Sequence, residues 1–214
     1  PPPPYLQTRP PPRSTPKTHR RQRQMCIRDR TSPYRKMLLQ RLGVPFETRS
    51  PNVDESPLPG ELPARLVERL ALTKAQAVAE HMPCSIIIGS DQLAAFDNQV
   101  IGKPGSVENA RRQLAAFSGK RVLYLTSFVL LDSDTGRHLA ESVPTIVNFR
   151  ELDDGEIKRY LELDQPLDCA GSFKSECAGV SLFESVQSDD PTALIGLPLI
   201  RLCSALRKFG FQVP

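Results

Sequence analysis

The sequence has little of the chemistry on which many protein sites depend. Its 214 residues include no Trp, 3 His and 5 Cys. The cysteines are odd in number, widely spaced and without a CxxC pair, which argues against a disulfide framework and against a zinc site. The histidines lie in a tail, at a helix end and at a strand start, so they give little support to a Ser/His or Cys/His nucleophile. Neither GxxxxGK[ST] nor GxGxxG occurs, which argues against a P-loop and a Rossmann fold.

Long apolar segments are also lacking. No run of about 18 apolar residues would span a membrane. The first residues do not contain the apolar stretch of a signal peptide. We therefore expect a cytoplasmic protein that has no membrane partner.

The net charge of +4 is distributed unevenly. Residues 1–30 hold eight Lys and Arg against one Asp, a local balance of +7, so the remaining residues sum to −3. A slightly acidic domain argues against a nucleic-acid partner. Because residues 1–16 also include eight prolines, we expect residues 1–30 to be a disordered or non-native extension and residues 31–214 to form one domain. A proline-rich ligand or a nucleic-acid arm is the functional alternative for this tail.

Segments typical of helices and strands alternate from residue 31 onward. Helices are predicted to begin at Pro33, at Pro63, after the caps Ser106 and Asp153, and at Leu199. Strands are predicted over residues 44–48, 85–88, 121–131, 138–150 and 179–186, with the third and fourth forming an antiparallel hairpin. This mixture predicts an α/β fold in which helices flank a mixed, twisted sheet.

Two carboxylates are candidates for catalysis or metal binding. Asp91 follows the β-branched run at residues 85–88, and the end of a buried strand is where open α/β sheets bind ligands. The alternative is a carboxylate that caps the following turn. Glu55, with Asp54 beside it, lies in a proline-flanked loop and could join Asp91 in binding a divalent cation through oxygen. A solvated loop carboxylate is the alternative there.

Three cations complement these carboxylates. Lys74 lies on the apolar face of the second helix, where an ammonium must either extend to solvent or meet an anion. Lys103 precedes a helix start that suits a phosphate. Arg35 lies in the first turn of its helix, an unfavourable place for a cation unless an anion binds there. Cations and carboxylates together fit a metal-bound polyphosphate.

Seven short motifs occur in an order that resembles the Maf nucleotide pyrophosphatases. They are Ser-Pro-x-Arg at 32–35, Val-Asp-Glu at 53–55, Lys-Ala at 74–75, Gly-Ser-Asp-Gln at 89–92, Gly-Lys-Pro at 102–104, Phe-Ser-Gly at 117–119 and Gly-Leu-Pro-Leu at 196–199. The resemblance covers residues 31–210. It implies a fold like that of inosine triphosphatase, with a central nucleotide cleft, and it allows for a homodimer.

The resemblance also implies a reaction and the residues that perform it. Water would attack the α-phosphorus of a nucleoside triphosphate and release pyrophosphate, assisted by Mg²⁺ or Mn²⁺. Asp91 would accept the proton from water and, with Glu55, hold the metal. Phosphates and metal would be bound by Ser32, Arg35, Glu55, Lys74 and Lys103.

Three further positions separate two branches of this family. The dTTP/UTP branch typically has Arg, Thr and Gln, whereas this sequence has Tyr34, Gln92 and Glu176, as in the 7-methyl-GTP branch. The charged 7-methylguanine favours stacking on an aromatic face such as Tyr34, although ordinary helix packing is the alternative. Glu176 can accept hydrogen bonds from the N1 and N2 donors of guanine. We therefore expect hydrolysis of 7-methyl-GTP to 7-methyl-GMP and pyrophosphate, with dTTP or UTP as the alternative substrates.

The sequence departs from the family pattern at its start. Family members begin with an apolar strand that runs into Ala-Ser-x-Ser-Pro, whereas Arg30 stands here in place of the first serine. Arg28 and Asp29 fall in the aligned strand, where unpaired buried charges are costly. A nucleotide-binding protein with impaired catalysis is therefore a further alternative.

Overall fold

The structure, a computed structural model, describes residues 24–28, 33–50 and 52–214. The strands in these ranges are β1 (Gln24–Arg28), β2 (Glu47–Arg49), β3 (Ser85–Phe96), β4 (Gln99–Ile101), β5 (Arg121–Asp132), β6 (His138–Phe149) and β7 (Phe183–Ser188). The helices are α1 (Pro33–Gln40), α2 (Pro63–Ala79), α3 (Val107–Phe117), α4 (Asp154–Asp164) and α5 (Leu199–Lys208), and a short 3₁₀ helix spans Ala178–Leu182. None of the described helices is long and apolar enough to cross a membrane.

All seven strands belong to one mixed sheet. The strand order is β2-β1-β3-β5-β6-β7, and β4 pairs with β3. Strand β1 runs parallel to both β2 and β3. The remaining pairs are antiparallel, including the predicted hairpin of β5 and β6. The structure thus confirms an α/β fold with a mixed sheet.

The alternation of side chains along β3 distributes the core between two faces of the sheet. Ile86 and Ile88 pack with Leu38 of α1 and Leu202 of α5. Ile87, which points the opposite way, packs with Ala71 of α2. Successive residues of a strand face opposite sides, so odd-numbered residues of β3 face α2 and even-numbered residues face the other layer of helices. This parity decides what Asp91 and Gln92 can contact.

Local capping signals predicted the helix starts correctly. The Ser106 hydroxyl accepts a hydrogen bond from Asn109 N, and α3 begins at the next residue. Asp153 and Glu156 form the predicted reciprocal capping box of α4. These contacts lie within three residues of each other in the chain, and therefore a short sequence pattern is sufficient to indicate them.

Strand boundaries were predicted less well. Strand β3 continues through Asp91 to Phe96, so Asp91 lies within the strand, neither at its end nor on a following turn. The reason is β5, which pairs with β3 from Ile86 to Ala95 and keeps the backbone extended beyond the apolar run. The last predicted strand begins later, since residues 178–182 form the 3₁₀ helix. Strand β2 is likewise shifted toward the C-terminus, to Glu47–Arg49.

The prediction that residues 1–30 lie outside the fold was wrong for part of that segment. Gln24–Arg28 form β1, and Met25 of this strand is 2% exposed. The folded domain thus begins no later than Gln24. Residues 1–23, 29–30 and the predicted phosphate contact Ser32 lie outside the described residues.

Candidate functional site

The candidate site lies along an open stretch of the β3 edge. On this edge β1 pairs with β3 as far as Ile88, and β4 pairs with it from Ala94 onward. Between these two registers, residues 89–93 have no strand partner on that side within the described part of the chain. A cavity of about 770 Å³ adjoins this stretch and includes Asp91 and Gln92 in its lining. The gap in strand pairing thus coincides with the part of β3 that lines the cavity.

Eight of the nine predicted site residues line this one cavity. They are Tyr34, Arg35, Glu55, Lys74, Asp91, Gln92, Lys103 and Glu176. The ninth, Ser32, is outside the described residues. Asp54 is not among the lining residues, and its carboxylate instead accepts a hydrogen bond from Ser56 N at 2.9 Å. The fold therefore gathers the predicted residues, whose individual roles stay predictions.

Lys74 is buried between two carboxylates. Its side chain is 6% exposed, its Nζ lies 2.7 Å from Glu55 Oε1, and it donates to Asp91 Oδ1. The odd parity of Asp91 directs its carboxylate toward α2, where Lys74 lies on the buried face with Leu70 and Ala71. Of the two outcomes considered for Lys74, extension to solvent is wrong. Removing one partner of a buried ion pair typically costs about 3–5 kcal/mol because the other charge is left uncompensated.

A clamp outside the cavity holds the loop that carries Glu55. Arg69 of α2 donates to both carboxylate oxygens of Glu61 at 2.7 Å, and its Nη2 also donates to Ser56 O at 3.0 Å. Glu61 in turn accepts from Leu58 N at 3.0 Å. The Arg69 hydrogen bonds, together with that of Leu58, lower the pKa of Glu61 from 4.5 to about 2. Sequence reasoning missed both residues, because an acidic residue eight positions before an arginine is not a recognisable motif.

Arg35 is held at the cavity by backbone carbonyls. Its Nε donates to Gly196 O at 2.9 Å and its Nη1 to Ser90 O at 3.3 Å. Gly196 has a φ of +122°, and a Cβ at that position would lie 3.1 Å from Arg35 Nε. Glycine is therefore required there both by the backbone conformation and by the close approach of the guanidinium. The predicted first-turn position of Arg35 is confirmed, since α1 begins at Pro33.

Tyr34 and Glu176 also line the cavity. Burial and, to a smaller extent, the nearby Glu176 carboxylate raise the pKa of Tyr34 to about 12. Ser175 Oγ donates to the same carboxylate at 3.3 Å. The two residues predicted to recognise a base thus lie near each other at the cavity, although they are far apart in the sequence.

Gln92 is bound tightly to the protein. Its side-chain nitrogen lies 3.0 Å from Thr126 Oγ1, 3.0 Å from Ala193 O and 2.9 Å from Leu194 O. These acceptors occupy the amide donors, so a hydrogen bond to a ligand falls to the amide oxygen. Sequence reasoning had given Thr126 no role at the site.

A glutamine on α3 connects the Lys103 loop to the loop that precedes Glu176. Gln113 Nε2 donates to Gly102 O at 3.2 Å, and Gln113 Oε1 accepts from Ser172 Oγ at 2.5 Å. Lys103 follows Gly102 directly and is exposed at the cavity. No sequence motif marked Gln113, whose two contacts lie 11 and 59 residues away.

Few side chains at the site could bind a metal ion, and their donor atoms are carboxylate oxygens. No group of three or more His, Cys, Asp or Glu suited to a metal occurs within the described ranges. Glu55 and Asp91 do converge, since both contact Lys74 Nζ. Mg²⁺ commonly binds one or two carboxylates and completes its shell with water and substrate phosphates. The carboxylate pair therefore fits a divalent cation that arrives with a polyphosphate.

Comparisons with known proteins agree with this arrangement. The family model described as "Maf-like protein" matches residues 30–209. A protein of Pseudomonas syringae pv. tomato named 7-methyl-GTP pyrophosphatase is 54% identical over 184 residues, 86% of this chain and 96% of that protein. Proteins of the same name from Aromatoleum aromaticum and Polaromonas sp. are 50% identical over 86% of this chain and 51% identical over 84%, covering 95% and 82% of their own lengths.

Proposed function

The chain belongs to the Maf-like protein family, and we propose that it hydrolyses 7-methyl-GTP to 7-methyl-GMP and pyrophosphate. The observation that carries this proposal is one cavity whose lining combines three cations and two carboxylates with Tyr34 and Glu176. Relatives about half identical in sequence are named 7-methyl-GTP pyrophosphatase, which supports the same substrate. A free nucleotide in the cytoplasm would be the substrate, and no nucleic acid or membrane is required.

Tyr34 and Glu176 suit the methylated base. The positive charge of 7-methylguanine strengthens its attraction to the face of Tyr34. Glu176 presents carboxylate oxygens, which can accept from the guanine N1 and N2 donors. The Tyr34 phenol has a pKa of about 12 and is protonated at neutral pH, so it adds no second negative charge beside Glu176.

The three cations and Asp91 suit the triphosphate and the reaction. Arg35, Lys74 and Lys103 line the cavity and would offset phosphate charge, including the charge that develops on the leaving pyrophosphate. Lys74 donates to Asp91 Oδ1, which leaves Oδ2 to accept the proton of the attacking water. The water oxygen bonds to the α-phosphorus while the bond from that phosphorus to the leaving pyrophosphate breaks.

A divalent cation, Mg²⁺ or Mn²⁺, belongs to this proposal. Glu55 and Asp91 would hold it, and when bound it would supply charge neutralisation and a more acidic water. Substrate phosphates and water would provide its remaining ligands. Lys74 contacts both carboxylates, and would restrain their positions as the nucleotide binds.

Pyrophosphate release tests the proposal. The chain is incubated with 7-methyl-GTP, GTP, dTTP or UTP, with Mg²⁺, with Mn²⁺ or with a chelator. We expect 7-methyl-GTP to be preferred and the chelator to abolish turnover. Asp91→Asn should lower the rate by about 10²-fold or more, whereas Asp154→Asn, at an exposed carboxylate of α4, should not. Preference for dTTP or UTP would assign the other branch, and thermal stabilisation by nucleotides without turnover would indicate a binding protein.

Base recognition has its own test. Glu176→Gln replaces one carboxylate oxygen with an amide donor, which faces the N1 and N2 donors of guanine unfavourably. We expect kcat/KM for 7-methyl-GTP to fall about 10-fold or more, in line with about 1–3 kcal/mol for a base contact of this kind. Turnover of dTTP should change little. Equal losses for both nucleotides would contradict a role of Glu176 in reading the base.

A further inference from the structure

The segment 190–197 presents backbone carbonyls to two predicted site residues. Gly196 O accepts from Arg35 Nε at 2.9 Å and from Ser90 Oγ at 3.0 Å. Ala193 O and Leu194 O accept from Gln92 Nε2 at 3.0 and 2.9 Å. The positions of Arg35 and Gln92 are thus tied to the course of one short stretch of backbone, which we call the carbonyl segment.

A buried carboxylate holds the start of the carbonyl segment to the first turn of α5. Asp190 is fully buried, with 0% exposure. Its Oδ2 accepts from Ile200 N at 2.7 Å and Arg201 N at 3.2 Å. Its Oδ1 accepts from Thr192 N at 3.1 Å and lies 2.8 Å from Thr192 Oγ1. The free N–H groups and positive dipole end of α5 offset the cost of burying this charge.

Thr192 closes the other end of the same segment. Its hydroxyl oxygen accepts from Leu199 N at 2.7 Å and lies 2.8 Å from Leu197 O. Two residues that follow Gly196, Leu197 and Leu199, therefore contact one hydroxyl, which itself contacts Asp190. Neither Asp190 nor Thr192 lines the cavity, so any effect of these two residues on a ligand is transmitted through the backbone carbonyls of the carbonyl segment.

We propose that Asp190 and Thr192 are positioning residues for the reaction, which set the Arg35 guanidinium and the Gln92 amide through the carbonyl segment. The Gly-Leu-Pro-Leu motif at 196–199 acquires a role in this way. Gly196 supplies the carbonyl and admits Arg35, Pro198 precedes α5, and the turn between them returns the chain to Asp190. The inference rests on the proposed function only for its kinetic consequences.

Paired substitutions at Thr192 test the proposal. Thr192→Val keeps the shape of the side chain but removes the hydroxyl, whereas Thr192→Ser keeps the hydroxyl and removes a methyl group. Without the hydroxyl, the N–H of Leu199 loses its acceptor and the carbonyl segment loses one of its ties. We expect KM for 7-methyl-GTP to rise about 10-fold in Thr192→Val, as for the loss of a buried hydrogen bond, with a smaller change in kcat. Thr192→Ser should restore KM to within about twofold of the wild-type value, since the same hydrogen bonds can form.

A second measurement does not depend on turnover. The Arg35 Nε–H, assigned by its absence in Arg35→Lys, should exchange slowly with solvent in nitrogen-edited NMR spectra, because it donates to Gly196 O. Exchange should accelerate about 10-fold or more in Thr192→Val and return in Thr192→Ser. If the wild-type chain released no pyrophosphate from any nucleotide, the proposed function would fail, while this exchange comparison would still decide the inference.

A matched control separates positioning from general loss of stability. Asp153→Ala removes the helix cap of α4, because the Asp153 carboxylate accepts a hydrogen bond from Glu156 N at 2.8 Å. It should lower the melting temperature while leaving KM and the Arg35 exchange rate unchanged. Wild-type KM and wild-type Arg35 exchange in Thr192→Val would overturn the proposal. So would equal changes in Asp153→Ala and Thr192→Val, because the effect would then follow stability alone.

Discussion

Gly89 lies where α2 contacts β3, two residues before Asp91. A Cβ at this position would meet Ala71 O at 2.3 Å, Ala75 Cβ at 2.8 Å and Ala75 N at 2.9 Å. Two of these atoms are backbone atoms, which cannot rotate away. Because ordinary contacts begin at 3.4 Å and Ala71 O is at 2.3 Å, α2 would have to move outward by about 1 Å in Gly89→Ala.

The displacement acts on the buried ion pair. Lys74 precedes Ala75 on α2 and donates to Asp91 of β3, so moving the helix separates the two groups. Crowding of a packed core typically costs about 1–3 kcal/mol of the free energy of unfolding. A misplacement of about 1 Å can lower activity by about 10²-fold. We therefore expect Gly89→Ala to fold with reduced stability and to release pyrophosphate about two orders of magnitude more slowly.

Urea unfolding and initial rates of pyrophosphate release check both magnitudes. Gly155→Ala is the matched control, because its nearest atoms are side-chain atoms of Asp153 and Arg159 at 3.1 and 3.2 Å, which can shift. It should keep wild-type activity. Adding Ala75→Gly to Gly89→Ala should restore little, since the contact with Ala71 O persists. A Gly89→Ala chain that is as stable and active as the wild type would refute the reasoning.

Three further predictions concern the clamp of Arg69 and Glu61, which holds the loop of Glu55, and Tyr34 in the cavity. Arg69→Ala frees the loop of Glu55, so the Mg²⁺ concentration for half-maximal activity should rise about 10-fold or more in a metal titration. Glu61 has a folded pKa of about 2 against 4.5, so its stabilisation is complete above pH 4.5 and is lost as pH falls toward 2. The difference in unfolding free energy between the wild type and Glu61→Gln should accordingly shrink when urea unfolding is repeated at decreasing pH over that window, and a constant difference would contradict it. In an ultraviolet titration, Tyr34→Phe should remove a tyrosine step near pH 12; removal of a step near pH 10 would contradict the burial of the phenol and its closeness to Glu176.

Short-range patterns in the sequence determined the helices and the membership of the site. Ser106 and Asp153 mark helix starts because a capping interaction spans three or four residues, all visible in one short stretch. Pro63 marks another start because its fixed φ and missing N–H suit the first helical position. The mixture of cations and carboxylates, including Asp91 and Lys74, indicated a polyphosphate site, and the resemblance carried by seven short motifs supplied the remaining site residues. Both conclusions could be drawn from short stretches of sequence without knowledge of the fold.

Tertiary structure decided the length of β3, the partner of Lys74 and the anchoring of Arg35. Strand β3 extends past Asp91 because β5, some 40 residues later in the chain, pairs with it. Strand β1 pairs with β2 and β3 although it lies in a segment rich in proline and arginine. Gln24–Arg28 contain no proline, so each of these residues keeps its backbone N–H for pairing. The carbonyl of Gly196 reaches Arg35 across 161 residues. A backbone carbonyl is common to every residue, so no sequence pattern can show which carbonyl will hold a given guanidinium, and only the folded chain determines that choice.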